Sequence, residues 1–419
     1  MKTLTRALLL LPFALAACSK APVPAVQPAA PSLHVAPLAL PPMNTASQPD
    51  LISAGNRLVL SWIEPEGEGH ALKFATFADD RWSAAQSIAA GDDWFVNWAD
   101  TPHIAVTQDG ALWAHWLQKS ASATYAYDVM LVRSADGGRS WSQPVTVNND
   151  GKAAEHGFVS LWPATNDALG IAWLDGRESA GEDAHAGHDE HATTASGAMT
   201  LRTARFDARL QRHDETRLDA MTCDCCQTDV AMTARGPLLV YRDRTPEEVR
   251  DIAVTRQQQG AWTQPHVVHA DRWTMPACPV NGPAVAAQGD TAVVGWYTAA
   301  GNTPTLKLAR SSDAGDTFGA PVHVDSGEVM QGRVDVALGR DAAWVLWLRE
   351  TADGQSLQLA RYDLDLARAP QRIEVAKLHG RGRGTGMPQL ALRDDTPQVV
   401  WTDVVGGKPQ LHAAVIVAR

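Results

Sequence analysis

The residues with the clearest chemistry in this 419-residue chain are four of its five cysteines. Cys223, Cys225 and Cys226 lie within four consecutive residues, and Cys278 follows later in the chain. Thiolates with Met275 nearby suit Cu(I), and four thiolates suit Zn(II). In an oxidising compartment cysteines also form disulfides, and a bridge from Cys278 to the cluster would contribute roughly 2–4 kcal/mol. Soft-metal binding, disulfides and a redox role therefore remain open at this point.

A second candidate metal site is a histidine-rich tract. His185, His188 and His191 recur at a spacing of three among glycine and acidic residues. Imidazoles in such a tract bind Cu(II), Zn(II) or Ni(II). The alternative is a polar insertion that is rich in histidine and binds nothing. If either cluster holds a cofactor, we expect copper or zinc.

Charged residues that follow the apolar runs offer a different chemistry. Arg177, Arg244 and Arg349 could clamp a carboxylate or sulfate, because a guanidinium group binds such anions through two parallel hydrogen bonds. Asp243 could then serve as the acid or base of a glycoside hydrolase. The alternative is that these arginines pair with carboxylates and fasten neighbouring loops.

These loops need a scaffold, and the sequence contains a regular repeat. A short apolar run that ends in one aromatic recurs seven times, roughly every 50–60 residues, and three strand-like runs surround each copy. One four-stranded unit cannot bury both of its faces, so neighbouring units must stack. We predict an all-β propeller with seven four-stranded blades, and six blades as the alternative. The seven aromatics are Trp62, Trp116, Trp173, Tyr241, Trp296, Trp347 and Trp401.

The last repeat predicts how the ring closes. It ends at Val417 after its third strand and lacks an outer strand, whereas Leu33–Leu40 is an unassigned apolar run. We predict that this run pairs with the strand that contains Gln410–Val417, which leaves no open edge between the first and last blades. Pro37 is tolerated there because the outermost strand is an edge.

The repeat also predicts which face carries function. In each blade the strands are called a to d from the channel outwards, and the d–a and b–c loops share one face. The cysteines, the histidine tract and the charged residues all fall on these loops. We therefore predict that a small ligand, a glycan or a metal binds on this face.

Two predicted c–d turns share the pattern Ser-x-Asp-x-Gly-x-x-aromatic. The pattern is similar to the Asp box, or BNR repeat, of sialidase-like propellers, which include bacterial lipoproteins labelled exo-alpha-sialidase. The resemblance implies a structural role for the turns and makes exo-alpha-sialidase activity the alternative function. The Arg-Ile-Pro motif of sialidases is absent from the sequence, so we expect no efficient sialidase activity. The matching residues are Ser134, Asp136, Gly138, Trp141, Ser311, Asp313, Gly315 and Phe318.

The first residues are typical of an export signal. A basic start and a short apolar run lead to Leu15-Ala16-Ala17-Cys18, which resembles the lipobox of bacterial lipoproteins. The resemblance implies cleavage before Cys18 and lipidation of its thiol, and Ser19 favours the outer membrane, facing the periplasm. We predict a signal peptide over 1–18, a Pro/Ala-rich tether over 19–32 and one propeller domain over 33–419.

The composition limits the classes of partner that the protein is expected to bind. The formal net charge is -11, and no basic stripe with interleaved aromatics occurs in the sequence, which disfavours nucleic acid. We expect a monomer that contacts the membrane through its lipid. The leading hypothesis is an envelope-anchored binding module for a soft metal ion. An exo-alpha-sialidase is the first alternative and a disulfide-stapled scaffold is the second.

Overall fold

The computed structural model describes residues 32–179 and 197–418. The described residues from Leu33 onwards form one compact unit, a ring of seven antiparallel blades with four strands each. The prediction of seven blades is confirmed, and the six-blade alternative is wrong. In the described part of the chain no helix is long and apolar enough to cross a membrane. Cys18, the predicted lipidation site, lies outside the described residues.

In blades 1 to 6 the four strands follow one another along the chain from the channel outwards. Blade 1 comprises Ser47–Ala54, Arg57–Glu66, Gly69–Ala78 and Gln86–Gly91, and blade 2 comprises Ile104–Val106, Leu112–Lys119, Tyr127–Ser134 and Val145–Thr146. Blade 3 comprises His156–Pro163, Leu169–Asp175, Thr200–Phe206 and Arg212–Asp219, and blade 4 comprises Asp229–Thr233, Gly236–Arg242, Ile252–Gln258 and His266–Val267. Blade 5 comprises Ala284–Gln288, Thr291–Thr298, Thr305–Ser311 and Val322–Ser326, and blade 6 comprises Met330–Leu338, Ala342–Thr351, Gly354–Asp363 and Gln371–Leu378. Blade 7 comprises Gln389–Arg393, Thr396–Val405, Lys408–Ala418 and Leu33–Pro37. Short strands Arg81–Trp82 and Ala261–Trp262 extend the third strands of blades 1 and 4, and 3-10 turns lie at Ala300–Asn302 and Gly382–Thr385.

The hydrophobic core lies between the blades, in one cluster for each of the seven blade interfaces. The repeated aromatic on strand b packs against the preceding blade every time. Trp173 of blade 3, for example, packs in the cluster that contains Trp113 of blade 2. Trp62 of blade 1 packs against Val400 of blade 7, so the same contact closes the ring. The period of the sequence therefore reflects one interface repeated seven times.

The outer strand of blade 7 comes from the other end of the domain, as predicted. Leu33–Pro37 pairs antiparallel with the strand Lys408–Ala418, from Leu33 opposite Ala418 to Pro37 opposite Ala414. The Leu38 N–H then donates to the carbonyl of Ala413 at 3.1 Å. This pairing covers the edge that blade 7 would otherwise leave open.

The two Ser-x-Asp-x-Gly turns have the same internal hydrogen bonds. In the first, the Ser134 hydroxyl donates to Asp136 at 2.8 Å and accepts the Gly138 N–H at 2.8 Å. In the second, Ser311, Asp313 and Gly315 repeat these contacts at 2.7 and 2.8 Å. Hydrogen bonds from the hydroxyl and N–H of Ser140 hold the pKa of Asp136 at about 2.

Glycine at position 138 is required by the backbone and by the neighbouring blade. Gly138 has φ of 89°, and a Cβ there would lie 2.2 Å from Cζ of Phe74 on blade 1. Trp141 packs edge-on against the same Phe74 ring at 5.9 Å. The turn therefore locks two adjacent blades together.

We expect Gly138→Ala to destabilise the fold by about 2–4 kcal/mol, because the strain of the left-handed backbone adds to a steric clash with Phe74. Gly137→Ala is the matched control. Gly137 also has positive φ, 77°, but a Cβ there meets no atom within 4 Å, so only about 1 kcal/mol of strain applies. Urea unfolding of both variants measures the difference. Equal losses would show that the contact with Phe74 does not constrain the turn.

Candidate functional site

Three cysteine thiols meet on the loop that leads from blade 3 into blade 4. The Sγ atoms of Cys223, Cys225 and Cys226 all lie within 4.8 Å of one another, and those of Cys223 and Cys226 are 3.3 Å apart. Strand b of blade 4 anchors this loop, because the Cys223 N–H donates to the carbonyl of Arg242 at 3.1 Å. Three sulfurs bound to one ion at the metal–thiolate length of about 2.3 Å lie about 4 Å apart in a trigonal plane, so only small shifts of the sulfurs would let the three hold one ion. We call these three residues the thiol trio.

Cys278 reaches the thiol trio from the next d–a loop, between blades 4 and 5. Hydrogen bonds with Cys223, with Cys226 and then with Cys278 raise the pKa of the Cys225 thiol. In the described part of the chain all four are free thiols, and the 3.3 Å between Cys223 and Cys226 exceeds the roughly 2.05 Å of a disulfide bond. Cys223 and Cys226 are buried, Cys225 is partly buried and Cys278 is exposed.

Arg250 brings positive charge to the thiol trio. It donates through Nη1 to Sγ of Cys223 at 3.2 Å, and its Nη2 binds Glu248 at 2.6 Å. The other carboxylate oxygen of Glu248 binds Arg244 at 2.6 Å. The carbonyl of Glu248 accepts the N–H of Met275 at 2.9 Å, so the predicted soft ligand Met275 lies on the loop segment beside these groups.

The protonation states within the thiol trio differ. Hydrogen bonds from Cys225 and Cys226, with the charges of Arg250 and Arg242, hold the pKa of the Cys223 thiol well below its usual range. Burial is the main cause that raises the pKa of Cys226. Cys223 is therefore the residue of the trio that most readily carries the negative charge.

The arginines predicted as substrate clamps are already engaged by carboxylates. The pairs are Arg177 with Asp175 at 2.6 Å, Arg244 with Glu248 at 2.6 Å and Arg349 with Asp325 at 3.3 Å. A guanidinium group that binds a protein carboxylate has fewer free donors for a substrate anion. Arg177 also binds Asp150 at 2.9 Å and Arg244 binds Asp224 at 3.4 Å, both on other loops, so these arginines fasten neighbouring loops, as the alternative from the sequence proposed.

Asp243, the predicted acid or base, lies beside the cysteine loop. It follows directly after strand b of blade 4 and forms an isolated bridge with Thr222. Burial, and then the charge of Asp219, raises the pKa of Asp243 to about 6. Asp243 therefore lies next to the loop that carries the thiol trio. The charge pattern of the sequence did not indicate this proximity.

A second group with metal-like geometry comprises Asp150, His156 and Asp175. Both ring nitrogens of His156 are engaged, Nε2 by Asp150 at 3.0 Å and Nδ1 by the carbonyl of Tyr127 at 3.0 Å. Arg177 binds Asp150 at 2.9 Å and Asp175 at 2.6 Å. Its guanidinium supplies the positive charge that a cation would bring, so we assign this group a structural role.

Sequence reasoning missed a buried acidic cluster on the same face. The Tyr127 hydroxyl donates to Glu155 at 2.8 Å and lies 3.2 Å from a carboxylate oxygen of Asp100. Burial raises the pKa of Glu155 to about 8 and that of Asp100 to about 7. Tyr127 has 0% exposure, so its hydroxyl does not face solvent. No motif marks these residues, because they meet only through the packing of blades 2 and 3.

The first strands of all seven blades line a cavity of about 280 Å³ on the propeller axis. Three aspartates on these strands tie blades 1, 4 and 6 to the blades that follow them. Asp50 accepts the Ile104 N–H at 2.7 Å, Asp229 that of Val285 at 2.7 Å and Asp335 that of Leu390 at 2.6 Å. Burial, and then the charge of Asp229, raises the pKa of Asp335 to about 8. These carboxylates therefore have a structural role, because they hold neighbouring blades of the ring together.

His185, His188 and His191 lie outside the described residues. Among the described residues, the site on the d–a and b–c face comprises the thiol trio, Cys278 and the charged groups around them.

Comparison with known proteins places the fold. No family model and no curated protein matches the chain. A protein of unknown function from Dyadobacter fermentans is similar in structure, with a TM-score of 0.51 at 13% identity over 93% of this chain and 100% of that one. The polysaccharide lyase Uly1 also has a TM-score of 0.51, at 7% identity over 88% and 89% of the two chains. The endosialidase of phage phi92 has a TM-score of 0.51 at 8% identity, over 93% of this chain and 70% of that one.

The chain shares its propeller fold with these proteins. At such low identity the likeness concerns the fold alone, and function must be argued from the site.

Proposed function

We propose that this protein is a propeller that binds a soft metal ion, Cu(I) in particular, at the thiol trio. The single observation that carries the proposal is that the Sγ atoms of Cys223, Cys225 and Cys226 lie within 4.8 Å of one another. Soft thiolates select Cu(I) and Zn(II) over hard cations.

The surroundings of the thiol trio favour a single positive charge. Three sulfur ligands suit the trigonal coordination of Cu(I), whereas structural Zn(II) sites take four. Arg250 donates to Cys223 at 3.2 Å, and the charge of Arg242 also acts on that thiol. Repulsion between these guanidinium groups and the bound ion is smaller for Cu(I) than for a divalent cation, because Coulomb energy scales with charge.

The location of the protein belongs to the same proposal. The lipobox-like segment that ends at Cys18 supports export and lipid anchoring in the outer membrane, facing the periplasm. A metal-binding propeller held at that surface would capture or hand over copper in the cell envelope.

Anaerobic titration of the untagged full-length chain with Cu(I), in competition with a chromophoric Cu(I) chelator, tests the proposal. We expect one tightly bound Cu(I) per chain. The double substitution Cys223→Ser and Cys226→Ser should weaken binding by roughly 100-fold or more, because it removes two of three ligands. His185, His188 and His191 replaced by alanine form the control, and that variant should bind as the wild type does.

Three outcomes would overturn the proposal. The first is a wild-type chain that, with its thiols reduced, binds no Cu(I). The second is unchanged binding in the cysteine variant together with loss in the histidine variant, which would move the metal to the histidine tract. The third is an untreated chain with no free thiols after denaturation, which would favour the disulfide-stapled scaffold.

A carbohydrate-related function is the second candidate. It is supported by the structural likeness to the polysaccharide lyase Uly1 and the phi92 endosialidase. The carbohydrate-related function is the weaker candidate, because carboxylates already bind the candidate arginines and the buried Tyr127 hydroxyl does not face a substrate. Cleavage of a sialoside reporter that is lost in both Arg244→Ala and Arg349→Ala would favour it over the metal-binding function.

A further inference from the structure

We propose that Cys278 is the entry ligand through which a Cu(I)–thiolate donor passes its ion to the thiol trio. This inference rests on the proposed function and adds a route and a class of partner to it. The donor is a complex in which Cu(I) is held by external thiolates. The juxtaposition that carries the proposal is an exposed Cys278 whose loop is tied on both sides to the surroundings of the thiol trio. Before Cys278 the Met275 N–H donates to the carbonyl of Glu248 at 2.9 Å, and after it the Gly282 N–H donates to Gln227, the residue next to Cys226, at 3.0 Å.

The four thiols form a gradient of burial from the surface inwards. Cys278 is exposed and Cys225 is partly buried, whereas Cys223 and Cys226 are each only 1% exposed. A bulky donor cannot place its own sulfur against Cys223 or Cys226 without opening the loop. Thiol exchange requires access to the attacked atom, so the exposed Cys278 is the cysteine that a bulky donor meets first.

The loop that carries Cys278 is anchored on both sides of its exposed tip. Before the tip, the N–H groups of Arg272 and Trp273 donate to Asp251 at 2.9 and 3.1 Å. After it, Gly282 donates to the side chain of Gln227 at 3.0 Å. Residues 276–278 between these anchors are exposed. The anchors hold the exposed Cys278 on a loop next to the thiol trio.

The chemistry of transfer balances without any change of oxidation state. Cys278 gives up its proton to a departing donor thiolate and forms a Cu–S bond as one donor Cu–S bond breaks. Cys225 then bonds the ion and displaces the second donor thiolate, which leaves as a thiol with the proton of Cys225. Finally Cys223, which already carries the negative charge, and Cys226 complete the three-sulfur site as the bond from Cys278 to copper breaks, and the proton that Cys226 loses passes to the departing Cys278 thiolate. Copper remains Cu(I) throughout, so no oxidant or reductant is needed.

Stopped-flow loading of the full-length chain from Cu(I)–glutathione tests the inference. We expect Cys278→Ser to slow loading by at least about tenfold, because access of the donor thiolate limits exchange. The equilibrium affinity for Cu(I), measured against the chelator, should change by less than about threefold, since three ligands remain. Cys278→Met keeps a soft donor at the tip and should restore much of the rate.

Two results would overturn the inference. Loading of Cys278→Ser at the wild-type rate would show that the donor reaches the thiol trio by another path. An affinity that falls as much as the rate would make Cys278 a resident ligand. Neither result resembles a failure of the proposed function, in which the wild-type chain itself binds no Cu(I). A thermal melt of each variant checks that the fold is intact.

Discussion

Deletion of residues 33–42 should sharply lower the unfolding temperature of the domain and make it prone to aggregation. The deletion removes the outer strand of blade 7, whose register runs from Leu33 opposite Ala418 to Pro37 opposite Ala414. Each lost backbone hydrogen bond contributes roughly 0.5–1.5 kcal/mol, so the total is several kcal/mol. The uncovered strand Lys408–Ala418 then becomes an open edge that pairs with other chains.

The effect should extend to blade 1, because the same segment continues across the interface. Leu38 and Leu40 pack against the core cluster between blades 7 and 1. The carbonyl of Ala39 accepts the indole N–H of Trp82 on blade 1 at 2.8 Å. Deletion of residues 19–31 alone, which leaves the strand in place, is the control. If thermal melts of the two deletions coincide, closure by this strand does not stabilise the ring.

Arg177→Met should cost about 3–5 kcal/mol of stability, because the loss of one partner leaves buried carboxylates without their counter-charge. Arg177 binds Asp150 at 2.9 Å, Asp175 at 2.6 Å and Glu215 at 3.1 Å, and Asp175 is fully buried. Burial opposes ionisation of Asp150, but the hydrogen bond with His156 and the charges of His156 and Arg177 hold its pKa below the usual range. Methionine keeps the apolar stem of Arg177 and removes only its charge and hydrogen bonds.

Arg217→Met on the same blade is the matched control. The side chain of Arg217 is 47% exposed against 16% for Arg177, and it pairs with Glu178 at 2.8 Å. Such a surface pair contributes at most about 1 kcal/mol. Urea unfolding of both variants measures the contrast. A stable Arg177→Met protein that has lost activity on a glycan would return Arg177 to a catalytic role.

The repeat made the fold predictable, because its physical basis is local in sequence. Each copy places one large aromatic at the end of strand b, and in the structure that aromatic packs against the preceding blade. The missing outer strand of the last copy pointed to Leu33–Leu40, and strand order confirmed it. The repeat length and the missing outer strand are therefore enough to predict the fold when every blade repeats the same contact.

The site was only partly predictable. The loop positions of Cys223 and Cys278 indicated that adjacent d–a loops would bring them near each other. The contact between Arg250 and Cys223 had no signal, since it depends on the b–c loop of blade 4 folding back over the cysteine loop. The arginines suggested a substrate clamp because charge alone does not reveal which carboxylate lies opposite. Arg177 shows this most clearly, since its partner Asp150 lies on another loop.

X-ray absorption at the copper K edge of the chain loaded with one Cu(I) tests the central claim most directly. We predict a first shell of about three sulfur atoms at roughly 2.3 Å, the length of a metal–thiolate bond, with no nitrogen or oxygen neighbour. The Cys223→Ser, Cys226→Ser variant should lose this shell. A wild-type spectrum dominated by nitrogen neighbours, or one that the double substitution leaves unchanged, would contradict metal binding at the thiol trio.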